Sequence, residues 1–121
     1  MLYKGRKFDI RHFMLATKMY GKMRLYWFGE GYIRTSSFDY DINEVSDEMI
    51  HLTNDAIQKE SYEYGKFEEG NKVSYTDLQR YFDFTYPNRK YSIAEEMYPQ
   101  MKSIALSAFK SSYLNMDLDN T

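Results

Sequence analysis

The stretch Lys7-Phe8-Asp9-Ile10-Arg11 alternates charged and apolar residues. Read as a β-strand, it sends successive side chains to opposite faces. Lys7, Asp9 and Arg11 share one face; Phe8, Ile10 and, further on, Met14 share the other. The apolar face can pack on a core. The charged face sets two cations around one carboxylate, with successive charges roughly 7 Å apart at ~3.3 Å rise per residue. Such a face can cradle a polyphosphate or a carboxylate substrate, because Lys and Arg make charge-assisted hydrogen bonds to those oxygens. The plainer alternative is a solvated sheet face whose local ion pairs contribute little.

Around this strand the composition sets bounds. At 121 residues the chain is at most one domain, or part of one. Apolar residues make up 43%, as in an ordinary folded chain. The aromatic share is 18%, with 13 Tyr, and Tyr joins a large apolar area to a polar tip that suits half-buried surfaces and interfaces. There is no cysteine, which excludes disulfides and thiolate metal sites and fits a reducing compartment. Two histidines, His12 and His51, are too few for a His-rich metal site. No apolar run spans a bilayer and no signal-peptide core opens the chain, so a cytoplasmic location without a membrane partner is expected.

Net charge is −2, unevenly placed. Residues 1–35 carry eight Lys/Arg and two Asp/Glu, a balance of +6; residues 36–121 carry eight and sixteen, a balance of −8. A basic segment with strand character points to an anionic ligand. Mutual neutralisation of the two halves across the fold is the alternative, and no nucleic-acid partner is expected.

Residues 2–16 read as a long strand and Lys18 to Lys22, with Gly21, as a turn. Arg24–Phe28 reads as a second strand, Gly29-Glu30-Gly31 as a tight connection, and Tyr32–Ser36 as a third strand returning antiparallel. Arg34 would then point towards the charged face of the first strand. Ser37–Met49 is acidic and reads as a surface loop with at most one helical turn. Ala56–Lys59 reads as a short strand. Residues 60–72, charged and punctuated by Gly65 and Gly70, read as a mobile loop suited to a lid or partner contact. Ser74 followed by Asp77 predicts a capped helix over Tyr75–Phe84, and Ser92 followed by Glu95 repeats the signal. Met97, Met101, Ile104, Ala105, Ala108 and Phe109 recur at helical spacing and predict a core-facing stripe, with Pro99 starting or kinking that helix. The tail 115–121 reads as polar and frayed. The fold class is α+β: an antiparallel sheet of about three to four strands with two C-terminal helices.

Several strings occur in a fixed order: R-K-F-D-I-R (Arg6–Arg11), R-T-S-S (Arg34–Ser37), H-L-T-N (His51–Asn54), A-I-Q-K-E (Ala56–Glu60) and Y-G-K-F-E-E-G-N (Tyr64–Asn71). The series resembles the tubulin–tyrosine ligase family of ATP-grasp amino-acid ligases, over most of residues 4–82 and more weakly through the final helix. R-T-S-S and E-E-G-N look closest to its tyrosine-ligase branch. The resemblance implies a partial ATP-grasp-like lobe, one partial domain over 1–121, in the central part of such an enzyme. It implies ATP-driven addition of an amino acid, whether tyrosine, glutamate or glycine, to tubulin carboxyl groups, with ATP and Mg²⁺ as cofactors. Tubulin's acidic tail is the implied partner, and a cytoskeletal or ciliary location follows.

By matching position, Lys7, Asp9 and Thr53 look like nucleotide contacts, and Arg11, Arg34 and Asn54 like the catalytic set. His51 is expected to be structural, Lys59 either solvent-facing or a ligand, and Glu68, Glu69 and Asn71 a solvated turn. The family's metal-holding Asp and Glu-x-Asn have no match. Asp117 and Asp119 do not fit that motif, so no metal ligand is expected and the chain alone is expected to be truncated and inactive. The alternative function is a non-catalytic module that binds tubulin or microtubules. An exposed sheet edge would then favour self-association.

Overall fold

The computed structural model describes residues 1–116, so Asp117 and Asp119 lie outside the described residues. Two reversals frame the first strand. Lys4-Gly5 (φ 47° and 81°) and Tyr20-Gly21 (φ 49° and 72°) each pair two left-handed residues, the geometry that matches the twist of a hairpin. Between them runs β1 (Arg6–Met19), and after the second runs β2 (Lys22–Asp39). β3 (Lys72–Ser74) pairs with β2, giving a three-stranded antiparallel sheet in the order β1-β2-β3. The helices are α1 (Glu48–His51), α2 (Asp55–Gln58), α3 (Tyr75–Thr85) and the long α4 (Tyr98–Met116), the last entered through a π-helical turn over Ile93–Met97. The α+β class stands.

The composition of the sheet differs from the expected one. The first strand starts at Arg6 rather than at residue 2, because the Lys4-Gly5 turn precedes it. The expected second and third strands are one strand, and the hairpin turns at Tyr20-Gly21 instead of at Gly29–Gly31. Both glycines have other reasons to be there. His12 pairs with Gly31 and Met14 with Trp27, so the single Phe13 faces Phe28, Gly29 and Glu30 in a bulge. Gly31 is crowded: a Cβ there would meet the Arg11 carbonyl and the Tyr75 hydroxyl at 2.5 Å and His12 Nδ1 at 2.8 Å.

That crowding surrounds one hydrogen-bonded connection. His12 Nε2 donates to the carbonyl of Phe28 in the bulge, at 2.7 Å. A carbonyl only accepts, so in the neutral ring Nδ1 is the acceptor, and Tyr75 donates to it at 2.9 Å. The imidazole also stacks on Trp27 with centroids 3.7 Å apart. Burial pushes the Tyr75 phenol up to about 12, with neighbouring Tyr98 adding to the shift, which keeps it a neutral donor.

On the core face, Ile10, Ile33 and Val73 form one row across the three strands. Leu78 and Phe82 of α3, with Ile93 and Tyr3, close over Ile33 and Val73. The spacing of Leu78 and Phe82 puts them one turn apart on the same side of α3. Ser74 caps α3 as expected, accepting from the Asp77 N–H at 3.0 Å, and Ser92 accepts from Glu95 N–H at 3.1 Å.

The segment 56–71 departs most from expectation. Ala56–Lys59 is not a strand but belongs to α2 and its cap. Gln58 is fully buried, its Oε1 accepting from the Ser37 N–H at 2.8 Å and its amide donating to the Met49 carbonyl at 3.1 Å. Residues 60–71 are not a detached lid. Asn71 is buried and bonds Gly65 N–H at 2.8 Å, the Thr35 carbonyl at 3.1 Å and Ser37 Oγ at 3.0 Å. Glu68 is not solvated: it forms a two-bond ion pair with the buried Arg6, whose Nη1 donates to Oε2 at 2.9 Å. Phe67 stacks 4.5 Å from that guanidinium. Polar side chains carry this segment, so hydrophobic period could not reveal it.

The α4 stripe is only partly a core element. Met97, Met101, Ala105 and Phe109 are half-buried, whereas Ile104 is 69% exposed and Ala108 is exposed.

Two outcomes follow. Gly31→Ala should lower stability by about 1–3 kcal/mol through overpacking. Gly29→Ala, with open space around its Cβ position, should stay within about 0.5 kcal/mol. Denaturant midpoints check this, and equal shifts would contradict the crowding. Glu68→Ala strands the Arg6 charge and should cost about 3–5 kcal/mol. The exposed Glu69→Ala should change stability by less than about 0.5 kcal/mol in the same assay.

Candidate functional site

Alternation along β1 and β2 dictates the second face of the sheet. Opposite the Ile10–Ile33–Val73 row lies a charged row, Asp9–Arg34–Lys72, set by the same pairing register. Asp9 takes both Nε and Nη2 of Arg34, the first at 2.8 Å, which fixes the guanidinium plane. The Asp9 hydrogen bond is the main reason the Arg34 pKa is raised, against the opposing effect of its own burial. Among the described residues, no bond is made to Arg34 Nη1, so that nitrogen can serve a ligand.

The expected residues meet only in part. Asp9 and Arg34 are in contact, and Arg34 points to the charged face of the first strand as read from sequence. Lys7 shares the face, but its ammonium lies 5.3 Å from the Tyr40 ring. Arg11 is exposed, its guanidinium 5.4 Å from the Phe13 ring. Neither Lys7 nor Arg11 joins an ion pair among the described residues. Thr53 is buried, at 9% exposure, and Asn54 is exposed at the head of α2 without a side-chain cap bond. No hydrogen bond ties either residue to Lys7, Asp9, Arg11 or Arg34 among the described residues.

Two residues near the face were not singled out by sequence. Lys72 reaches it through β3, with its ammonium 5.5 Å from the Tyr32 ring. Asp55, in the first turn of α2, lies close enough to Arg34 and Lys72 for its charge to act on both. Its carboxyl is held below the usual range by Lys59, which bonds it at 2.7 Å, and then by the Tyr64 hydroxyl at 2.7 Å. Lys59 is therefore a solvent-facing partner of Asp55. His51 is structural, its Nε2 bonding the Glu44 carbonyl and its ring edge-on to Tyr40. Only strand pairing places Lys72, and only the fold of α2 places Asp55; no local sequence signal marks either.

The face thus carries Lys7, Arg11, Arg34 and Lys72 against Asp9 and Asp55. Four cations against two carboxylates, both of which are already engaged, favour an anion with several oxygens. Among the described residues no three His, Asp or Glu side chains converge, and the two carboxylates of this face, Asp9 and Asp55, are each bonded to a cation. Among them, too, no helix is long and apolar enough to cross a membrane.

Comparison with known proteins bears on this face. The chain is 34% identical over 113 residues to "Probable alpha-tubulin polyglutamylase Ttll1" of Tetrahymena thermophila, covering 92% of this chain and 26% of that protein. It is 35% identical over 85 residues to "Tubulin glycylase 3D" of the same organism, covering 68% and 8%. It is 30% identical over 110 residues to "Probable tubulin polyglutamylase TTLL9" of Mus musculus, covering 91% and 23%. The chain spans about a quarter or less of the length of these relatives. Their names belong to polyglutamylases and glycylases, where R-T-S-S and E-E-G-N had pointed to the tyrosine-ligase branch. The sequence pattern of the Tubulin-tyrosine ligase family matches residues 1–121 in full, so the charged sheet and the helices around it are those of a member: this chain belongs to the tubulin–tyrosine ligase family.

Proposed function

We propose that this chain is a single partial domain that supplies the phosphate- and carboxylate-facing sheet of an ATP-dependent ligase adding an amino acid to tubulin carboxyl groups. The observation that carries the reading is the Asp9–Arg34–Lys72 row with Lys7 and Arg11 beside it. Bound ATP would phosphorylate a carboxylate to an acyl phosphate, which the amine of the incoming amino acid opens with release of phosphate. In this reading Lys7 and Arg11 hold phosphate oxygens. Asp9 orients Arg34, and Arg34 Nη1 faces a phosphate or a substrate carboxylate. Asn54, exposed beside Asp55, is proposed to donate to the reacting group, and Thr53, whose side chain is buried, to contribute to the nucleotide site. The relatives named above support tubulin as the acceptor, and with it a location on the cytoskeleton or a cilium.

The chain by itself is proposed to be inactive as a ligase, because the family's metal-holding Asp and Glu-x-Asn have no match in residues 1–121. A second reading, a tubulin-binding module, is favoured by the exposed Lys22 and Arg24 on the hairpin arm.

ATP binding by calorimetry, with and without Mg²⁺, tests the first reading. Wild-type chain should bind, and Arg11→Ala and Lys7→Ala should each weaken binding about tenfold, the loss of one charge-assisted contact. Affinity unchanged in both variants would contradict the assignment. Incorporation of an amino acid into tubulin by the purified chain, abolished by Arg11→Ala, would overturn the claim that the chain is inactive alone.

A further inference from the structure

The Tyr20-Gly21 reversal ends a two-stranded arm. Beyond the bulge, Met14–Met19 pair with Lys22–Trp27. That run extends about 20 Å at ~3.4 Å per residue. Tyr20 takes the first central position of the turn at φ 49°, with Gly21 following at 72°. Asn, Asp or Gly is favoured there, because a bulkier L side chain is strained in the left-handed region. A tyrosine held so, and 95% exposed, calls for a use of its side chain.

Large apolar side chains stand in solvent on both faces of the arm. On one face Leu15 pairs with Tyr26 and Met19 with Lys22; on the other Met14 pairs with Trp27 and Lys18 with Met23. Leu15 is 60% exposed and Met19 66%, and Tyr26, Met14 and Met23 are exposed as well. Lys22 and Arg24 are exposed beside them and form no ion pair among the described residues. No Asp or Glu occurs from Ile10 to Gly29, a stretch that holds four Lys/Arg.

We propose that the tip of this arm docks on an anionic lipid surface, with Leu15, Met19 and Tyr20 among the headgroups and Lys22 and Arg24 on the lipid phosphates. A tyrosine ring suits that boundary, apolar in body and polar at its tip, and cations on long stems reach back to the phosphates. A protein groove covers one face of a hairpin, whereas a fluid layer takes apolar side chains on both faces and at the end. The lack of carboxylates fits a surface that would repel them. The sequence, with no apolar run to span a bilayer, suggests no membrane partner; these residues converge only because the chain reverses at Tyr20-Gly21. The tubulin-binding reading uses the arm's cations alone, and the apolar side chains around them are what a lipid surface adds. The proposal goes beyond the nucleotide reading and stands without it.

Co-sedimentation of the full chain with phosphatidylcholine vesicles, alone or with about one-fifth phosphatidylserine, tests it. The wild type should bind the mixed vesicles, bind them more weakly at higher salt, and leave the neutral ones unbound. Tyr20→Asn places a residue that the turn prefers, so melting temperature should hold or rise while vesicle affinity falls about tenfold. Lys22→Gln together with Arg24→Gln, both on exposed side chains, should lower it about thirtyfold. ATP affinity should be unchanged in Tyr20→Asn, which separates this surface from the nucleotide site. No binding by the wild type, equal binding of neutral vesicles, full affinity in either variant, or displacement from the vesicles by a stoichiometric soluble hexaglutamate peptide would overturn the proposal.

Discussion

The register of β1 on β2 is the constraint from which the rest of the molecule follows. It sets Ile10 opposite Ile33 on one side and Asp9 opposite Arg34 on the other. A slip of one residue would turn the apolar row to the charged side and bury the ion pair. The register is pinned at both ends. The Tyr20-Gly21 reversal fixes the far end, and Arg6 Nη1 fixes the near end by donating to the Ser36 carbonyl at 3.0 Å. Between them the bulge at Phe28–Glu30 is closed by His12, which turns a break in pairing into an attachment point for α3 through Tyr75.

A small apolar core leaves much of the interior to polar groups. Tyr3, Ile33, Val73, Leu78, Phe82 and Ile93 make up the buried cluster, while Arg6, Thr35, Ser36, Ser37, Gln58 and Asn71 are buried beside it. These polar groups are mutually bonded, as buried groups must be to avoid a desolvation penalty. Their geometry is directional, so they fix how the segment 55–71 lies against β2. That segment brings Asp55 and, through β3, Lys72 to the charged face. The network and the candidate site are therefore linked by packing, although they share no residue.

Much of this was legible in the sequence, and the failures have physical causes. The alternation Lys7 to Arg11 gave the two faces of β1, and the caps Ser74 and Ser92 gave the starts of the two closing helical segments, because both signals are local. The reversal at Gly29–Gly31 was misread because glycine serves turns, bulges and close contacts alike. Only the approach of Tyr75, remote in sequence, distinguishes the last of these. Residues 60–71 looked like a loop because their burial rests on Glu68 and Asn71 meeting Arg6, Thr35 and Ser37, contacts that leave no periodic trace. At the site, Asp9 and Arg34 were readable from strand parity, whereas Lys72 and Asp55 depend on long-range pairing.

Asp9 and Arg34 engage each other, while Lys7 and Arg11 stand without an ion partner among the described residues. Lys7 and Arg11 lie over the Tyr40 and Phe13 rings instead, and under the proposed function this face meets a polyphosphate. The most direct measurement is a backbone-amide NMR titration of the chain with ATP. The account predicts that the largest shifts fall on Lys7, Asp9, Arg11, Arg34 and Lys72, with His12, Trp27 and Leu78 on the opposite side unmoved. Shifts confined to the His12–Trp27 side, or none at millimolar ATP, would contradict it.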